Sequence, residues 1–277
     1  MIRAALVQLT SSDDPEANLS ETLAAIERAA GEGAEWVLTP EVTNCVSSRR
    51  ARQEAVLRPE GEDPTLAAVR AAAARLGVPV LIGSLALKGE ADGRFVNRSF
   101  AIDASGGIAA RYDKIHMFDA DPSDGERYRE SAGYRPGERA VLAEVTNLRV
   151  GMTVCYDVRF PALYRALAEA GAEVLTVPSA FSPATGAAHW EVLLRARAIE
   201  TGCYVLAPAQ CGTHPASEGT PRRTHGHSLA VAPWGEVLLD MGETPGVGMV
   251  EVDPAAVADA RRRVPSLAHG RPFAGPS

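Results

Sequence analysis

Residues 148–161 read LRVGMTVCYDVRFP. The run from Val150 to Val154 is rich in β-branched residues and free of charge, which predicts a buried strand. It stops at Cys155-Tyr156-Asp157. Ala162–Ala170 then has helical apolar spacing and closes at Gly171. Pro161 suits the first turn of that helix, where its missing N–H is harmless. A cysteine is therefore expected at the carboxyl end of an interior strand, in the turn before a helix, where α/β sheets bind ligands. Such a strand–turn–helix bend also pushes a nucleophile into an open site. Position alone leaves two readings of Cys155 open, nucleophile or buried small hydrophobe.

Outward from this stretch the chain alternates strand and helix. Strands are expected at Ile2–Thr10 (Ala4, Leu6 and Gln8 on one face), Trp36–Pro40, Pro79–Leu87, Ala140–Val145, Glu173–Pro178, Cys203–Pro208 and Gly248–Val252. Phe95–Asp103 and Ile108–Lys114 read as a hairpin, and Ser228–Asp240 as two strands around Pro233-Trp234-Gly235. Helices are expected at Pro15–Ala30, from Asp63 to Gly77, at His189–Gly202 and at Pro254–Arg263. A turn is expected at Gly89–Gly93, and a Gly/Pro/Thr loop after Pro208. Met117–Arg139 lacks regular periodicity, and a loop that long in a compact domain is more often functional than filler. No linker or composition shift divides the chain, so residues 1–277 read as a single domain with an irregular tail. Helical crossovers mixed with hairpins suggest a mixed sheet or a two-sheet sandwich covered by helices.

Composition narrows the function classes. At 277 residues and 46% hydrophobic content the chain can bury a large core. A net charge of −7, with no basic cluster beyond Arg261-Arg262-Arg263, argues against nucleic acid and anionic membranes as partners. The first strand is too short and too early for a signal peptide, and no apolar run approaches a membrane span. Cys45, Cys155, Cys203 and Cys211 show no CxxC or disulfide-dense spacing, which places the chain in a reducing cytoplasm. The HxH pair His225 and His227 has no third ligand of suitable type, and no metal or cofactor is expected.

A cysteine nucleophile needs a base and a group to stabilise the oxyanion. His116 is the histidine nearest in sequence to a plausible site. Strand ends offer better groups, Glu41 after Thr39-Pro40 and Lys114 in RYDKIHMFD. Each alone is as readily a solvated strand-end charge. Together with Cys155 they are chemically sufficient, a carboxylate to move the proton and an ammonium to hold the oxyanion.

TPE at 39–41, YDKIHMFD at 112–119 and CYDVRFP at 155–161 stand in the order Glu–Lys–Cys. They are followed by GAEVLTVPSAFSPATGAAHWEVLLRARAIETGCYVLAPAQCG at 171–212 and GHSLAVAPWGEV at 226–237. On these segments the chain resembles carbon–nitrogen hydrolases of the nitrilase superfamily, to about Arg271. The resemblance implies a four-layer αββα sandwich that dimerises or assembles further through its helical face. It also implies a Glu–Lys–Cys triad that hydrolyses amides or nitriles through a thioester without metal or cofactor. By motif, Glu41 is the base, Lys114 the oxyanion partner, Cys155 the nucleophile and the Tyr156 N–H a second oxyanion donor. Glu130, in YRESAGYRPG, takes the place of a further family glutamate positioning Lys114 or the substrate, with Glu126 as its rival. PSAFSPATGAAHWEVLLRARAIE and GHSLAVAPWGE most resemble the Nit branch. That implies a small-molecule amide of an α-keto acid as substrate, deaminated glutathione first and α-ketoglutaramate second. Arg159 is placed to bind a substrate carboxylate or to pair with Asp157. Phe181 and Trp190 are expected in pocket wall or core, and Arg195, Arg197 and Glu200 in a buried ion-pair network. Two departures stand out: Thr39, where the family usually has an apolar residue, and Ala120–Arg129, which matches no family run.

Overall fold

The computed structural model describes residues 1–89, 92–123 and 126–276, without the side chains at positions 122, 123 and 126. The first half of the chain runs β1 (Ile2–Gln8), α1 (Pro15–Gly31), β2 (Trp36–Leu38), α2 (Arg50–Val56), α3 (Pro64–Leu76), β3 (Val80–Lys88), β4 (Phe95–Ile102), β5 (Ile108–Asp113), β6 (Asp119–Ser123) and β7 (Glu126–Arg129). The second half runs β8 (Val141–Val145), β9 (Leu148–Met152), α4 (Pro161–Glu169), β10 (Val174–Thr176), α5 (Pro183–Thr201), β11 (Tyr204–Ala207), β12 (Cys211–Thr213), β13 (Arg223–His225), β14 (Leu229–Val231), β15 (Val237–Asp240), β16 (Gly246–Val252) and α6 (Pro254–Arg263). Local chemistry sets the helix ends. Asp14, Asp63 and Asp253 each accept a backbone N–H at a helix start with proline in the first turn, and Gly77 closes α3 at φ 68°.

Two six-stranded sheets form the middle of the molecule, ordered β16-β1-β2-β3-β4-β5 and β15-β14-β11-β10-β9-β8. Each has parallel strands at its centre, β1-β2-β3 in one and β9-β10-β11 in the other, with antiparallel strands outside. Strand β1 shows how the layers stack. Its Ala4 and Leu6 pack with Val150, Met152 and Leu206 of the second sheet, while Ala5 and Val7 pack with Ile26 of α1 and Val69 of α3. On the far side, Leu167 of α4 and Trp190 and Leu194 of α5 close the core. The order is helices, sheet, sheet, helices: an αββα sandwich. Burying each large apolar side chain contributes about 1.5–3 kcal/mol, so strands apolar on both faces belong inside such a stack.

Several elements differ from what the sequence predicts. Part of the irregular stretch Met117–Arg139 is the antiparallel pair β6–β7. None of its described side chains is buried, so no apolar alternation marks it. The loop after Pro208 likewise contains the short pair β12–β13. Helix α5 begins at Pro183, so His189 lies inside it rather than opening it; Gly186 and Pro183 disguise the first two turns. Strand β2 stops at Leu38, and residues 41–44 form a turn in which Val42 has φ 48°. The expected turn at Gly89–Gly93 includes residues 90 and 91, which lie outside the described residues.

Candidate active site

Three strand ends converge at one end of the sandwich. Glu41 follows β2 and Lys114 follows β5, both in the first sheet, while Cys155 follows β9 in the second. The sheets are tied together here by a parallel bridge between Leu9, just beyond β1, and Gln210, beyond β11. Gln210 also donates through Nε2 to the Glu41 carbonyl (3.1 Å), and the Cys155 N–H donates to Pro178 O (2.9 Å). Cys155 opens a one-turn 3₁₀ segment, Cys155–Arg159, with φ 49°. For a residue with a side chain the left-handed region costs about 1–2 kcal/mol, which the surroundings must hold in place.

Asp157 supplies much of that restraint. Fully buried, it accepts from the Val154 N–H (2.8 Å), the Tyr112 hydroxyl (2.7 Å), the His116 N–H (3.0 Å) and His116 Nδ1 (2.7 Å). The His116 ring stacks on Phe160, with centroids 3.5 Å apart. His116 thus braces the cysteine turn from behind. The carboxylate of Asp157 is spent on these donors, so the expected alternative of an Arg159–Asp157 ion pair does not form.

Glu41, Lys114 and Glu130 share one hydrogen-bond system. Lys114 Nζ donates to Glu41 Oε1 (3.0 Å) and to both oxygens of Glu130 (2.9 and 2.8 Å). Glu41 Oε1 also accepts from Asn97 Nδ2 (2.9 Å), and its Oε2 from the Ala180 N–H (2.8 Å). The Cys155 thiol lines the same cavity and is close enough to the Glu41 carboxylate to feel its charge. Glu130 Oε2 is fixed by the Phe118 N–H (2.6 Å). Asn97 carries no motif that singles it out, and only its place on β4 opposite the Lys114 backbone brings it here.

Burial would raise the Glu41 pKa, but the charges of Lys114 and Arg222 and the Lys114 hydrogen bond together hold it below its ordinary value of 4.5. Burial likewise works against the Lys114 ammonium, and Glu130 and Glu41 overcome it, raising the lysine well above its usual range. Burial first, and then the Glu41 charge, push the Cys155 thiol up, with Lys114 opposing. The resting arrangement is a carboxylate, an ammonium and a neutral thiol in contact. This suits a nucleophile deprotonated as it attacks rather than one stored as thiolate.

The group opens into a cavity of about 450 Å³ whose wall includes Glu41, Lys114, Glu130, Cys155, Tyr156 and Phe181. Trp190 is buried behind Phe181, with ring centroids 4.9 Å apart. Arg159 is not part of that wall. It meets His189 (Nη2 to Nδ1, 3.2 Å) and lies 5.4 Å from the Phe181 ring centroid. Arg222, from the connection into β13, is on the wall, and sequence reasoning missed it because that connection has no periodic signal. The side chain of Glu126 lies outside the described residues. Arg197 is buried, donating to Val158 O and pairing with Glu200, whereas Arg195 pairs with Glu191 near the surface and is no part of a buried network. Among the described residues no three His, Cys, Asp or Glu side chains group to hold a metal ion, and no helix is long and apolar enough to cross a membrane.

Known proteins agree with this architecture. The family model described as carbon–nitrogen hydrolase matches residues 3–262. A Yersinia enterocolitica protein named deaminated glutathione amidase is 40% identical, over 96% of this chain and 92% of its own length. The crystal structure of the C. elegans NitFhit protein superposes with a TM-score of 0.88 at 34% identity, covering 98% of this chain and 65% of that one. Saccharomyces cerevisiae Nit3, described as a member of branch 10 of the nitrilase superfamily, gives 0.83 at 28% identity, covering 95% of this chain and 94% of that one. The chain belongs to the carbon–nitrogen hydrolase family, in the nitrilase superfamily, and is a hydrolytic amidase.

Proposed function

We propose that the chain hydrolyses the amide of an α-keto acid, deaminated glutathione before α-ketoglutaramate, through a thioester on Cys155. The observation that carries the reading is a neutral thiol beside the hydrogen-bonded pair of ionised Glu41 and Lys114 in the wall of a cavity large enough for a small amide. The name of the Yersinia relative supports the choice of substrate.

The Cys155 sulfur attacks the amide carbonyl while its proton passes to Glu41, and the carbonyl π electrons move to oxygen. Before attack, Glu41 and Glu130 both hold Lys114. Protonation of Glu41 weakens its claim on the ammonium at the moment an oxyanion forms nearby, so the lysine charge is free to meet it. The Tyr156 N–H is the second donor, and Glu130 holds Lys114 in position. Collapse breaks the C–N bond, and the leaving nitrogen takes the proton from Glu41. Water, deprotonated by Glu41, then attacks the thioester, releasing the acid and restoring the thiol.

The test compares specificity constants for deaminated glutathione, α-ketoglutaramate, aliphatic nitriles and N-carbamoyl compounds, with Cys155→Ala as the blank. The order given is expected, with no turnover by the variant. Faster turnover of nitriles than of either keto acid amide sinks the assignment, and a preference for α-ketoglutaramate reverses the order of the two amides. The same reading expects two chains to pair through the face of α5 that leaves Val192 and Ile199 exposed. Sedimentation velocity should give at least a dimer, and a single-chain mass at micromolar concentration contradicts it.

A further inference from the structure

Among the cations around the cavity, Arg222 is the one with a donor both buried and without an acceptor among the described residues. Arg50 binds Glu54 and the carbonyls of Gly93 and Gly133, and Arg129 binds Asp121. Arg127 is exposed, so water screens its charge. Arg222 is only partly exposed, and its guanidinium has a single acceptor among the described residues, the Ala180 carbonyl (Nη2, 2.7 Å). Its buried Nε has no partner, and no carboxylate of a described residue lies within ion-pairing distance. A guanidinium carries five N–H groups in a fixed fork matched to a carboxylate, and desolvating it without an acceptor is costly.

The backbone that carries Arg222 is also held in place. The His214 N–H donates to Arg222 O (2.8 Å), and the His214 ring spans from Ser11 O to Thr224 Oγ1, both at 2.7 Å. The guanidinium lies 5.7 Å from the centroid of the Tyr128 ring. Through Ala180, whose N–H binds Glu41 and whose carbonyl binds Arg222, it is linked to the reacting groups across a single residue. The rival Arg159 is off the cavity wall.

We propose that Arg222 receives the carboxylate of the substrate and makes the cavity selective for amides that carry one. The assignment rests on the reading of this cavity as the amide site. The alternative is that Arg222 only balances charge, since Lys114 and Arg222 together offset Glu41 and Glu130.

The two roles separate on selectivity. Specificity constants are measured for α-ketoglutaramate and for 4-oxopentanamide, which keeps the ketone and carries a methyl group in place of the carboxylate, in wild type, Arg222→Met, Arg222→Lys and Arg159→Met. A lost charged hydrogen-bond pair corresponds to about 10–100-fold. The preference for α-ketoglutaramate over 4-oxopentanamide should fall by about that factor in Arg222→Met, mainly through KM, and recover in part in Arg222→Lys. Equal losses on both amides together with a shifted acid limb overturn the proposal in favour of charge balance. Collapse of the preference in Arg159→Met instead also overturns it. If wild type releases no ammonia from α-ketoglutaramate, the functional reading fails on its own, and calorimetric binding of glutarate then decides the role of Arg222. Weakening by at least about tenfold in Arg222→Met supports the assignment, and unchanged affinity refutes it.

Discussion

Glu41 is where burial and charge compete most directly. Its carboxylate is almost fully enclosed, yet Lys114 and Arg222 keep it ionised below the ordinary 4.5. Because the folded pKa is the lower one, the unfolded chain takes up the proton first as pH falls. The stabilisation from this carboxylate is therefore complete above about 4.5 and is lost as pH drops through the folded value. The acid limb of kcat/KM should accordingly lie below pH 4.5, as a pH–rate profile on any accepted amide will show; a limb near 6 excludes Glu41 as the proton acceptor. Glu41→Gln keeps the shape but cannot take the thiol proton, and should reduce turnover by about 10²–10⁴-fold. Near-normal turnover in that variant would assign the proton to another group.

At the scale of elements, the site depends on how closely strand ends approach one another. A Cβ on Gly83 of β3 would come within 2.0 Å of Thr39 O, 2.5 Å of Pro40 O and 2.5 Å of Pro178 Cβ. Pro40 leads into Glu41, and Pro178 O holds the Cys155 N–H. Gly83 is thus the gap through which the two sheets bring base and nucleophile together. Thr39 is absorbed at the same place: its hydroxyl accepts the Gly83 N–H (3.1 Å) and meets Thr43 Oγ1 (2.8 Å). Gly83→Ala should lower stability by about 1–3 kcal/mol, because backbone carbonyls cannot swing aside as side chains do. It should also lower activity in the fraction that still folds. Chemical denaturation with parallel ammonia-release assays checks both, and a variant matching wild type in each refutes the close-packing account.

Across the whole molecule, the sandwich is joined by polar contacts as well as apolar packing. The Tyr112 hydroxyl of the first sheet donates to Asp157 beyond β9 of the second, both fully buried. Tyr112→Phe leaves that carboxylate one donor short and should cost about 1–3 kcal/mol in urea denaturation; a loss under about 0.5 kcal/mol would mean that the remaining donors suffice. The sequence by itself determined the alternation of strands and helices, the motifs of Glu41, Lys114 and Cys155, and the αββα architecture implied by their resemblance. These are local patterns, because apolar period, proline and glycine punctuation and a strand-end cysteine are all written in neighbouring residues. It could not disclose Asn97 or Arg222, nor that Asp157 serves His116 and Tyr112 rather than Arg159. Each of those depends on partners 41 to 56 positions away in the chain. It also missed β6–β7 and β12–β13, whose short polar pairs carry no apolar alternation. Only the tertiary structure decided these, because contacts between distant strand ends are set by how the two sheets pack and not by the periodicity of any one segment.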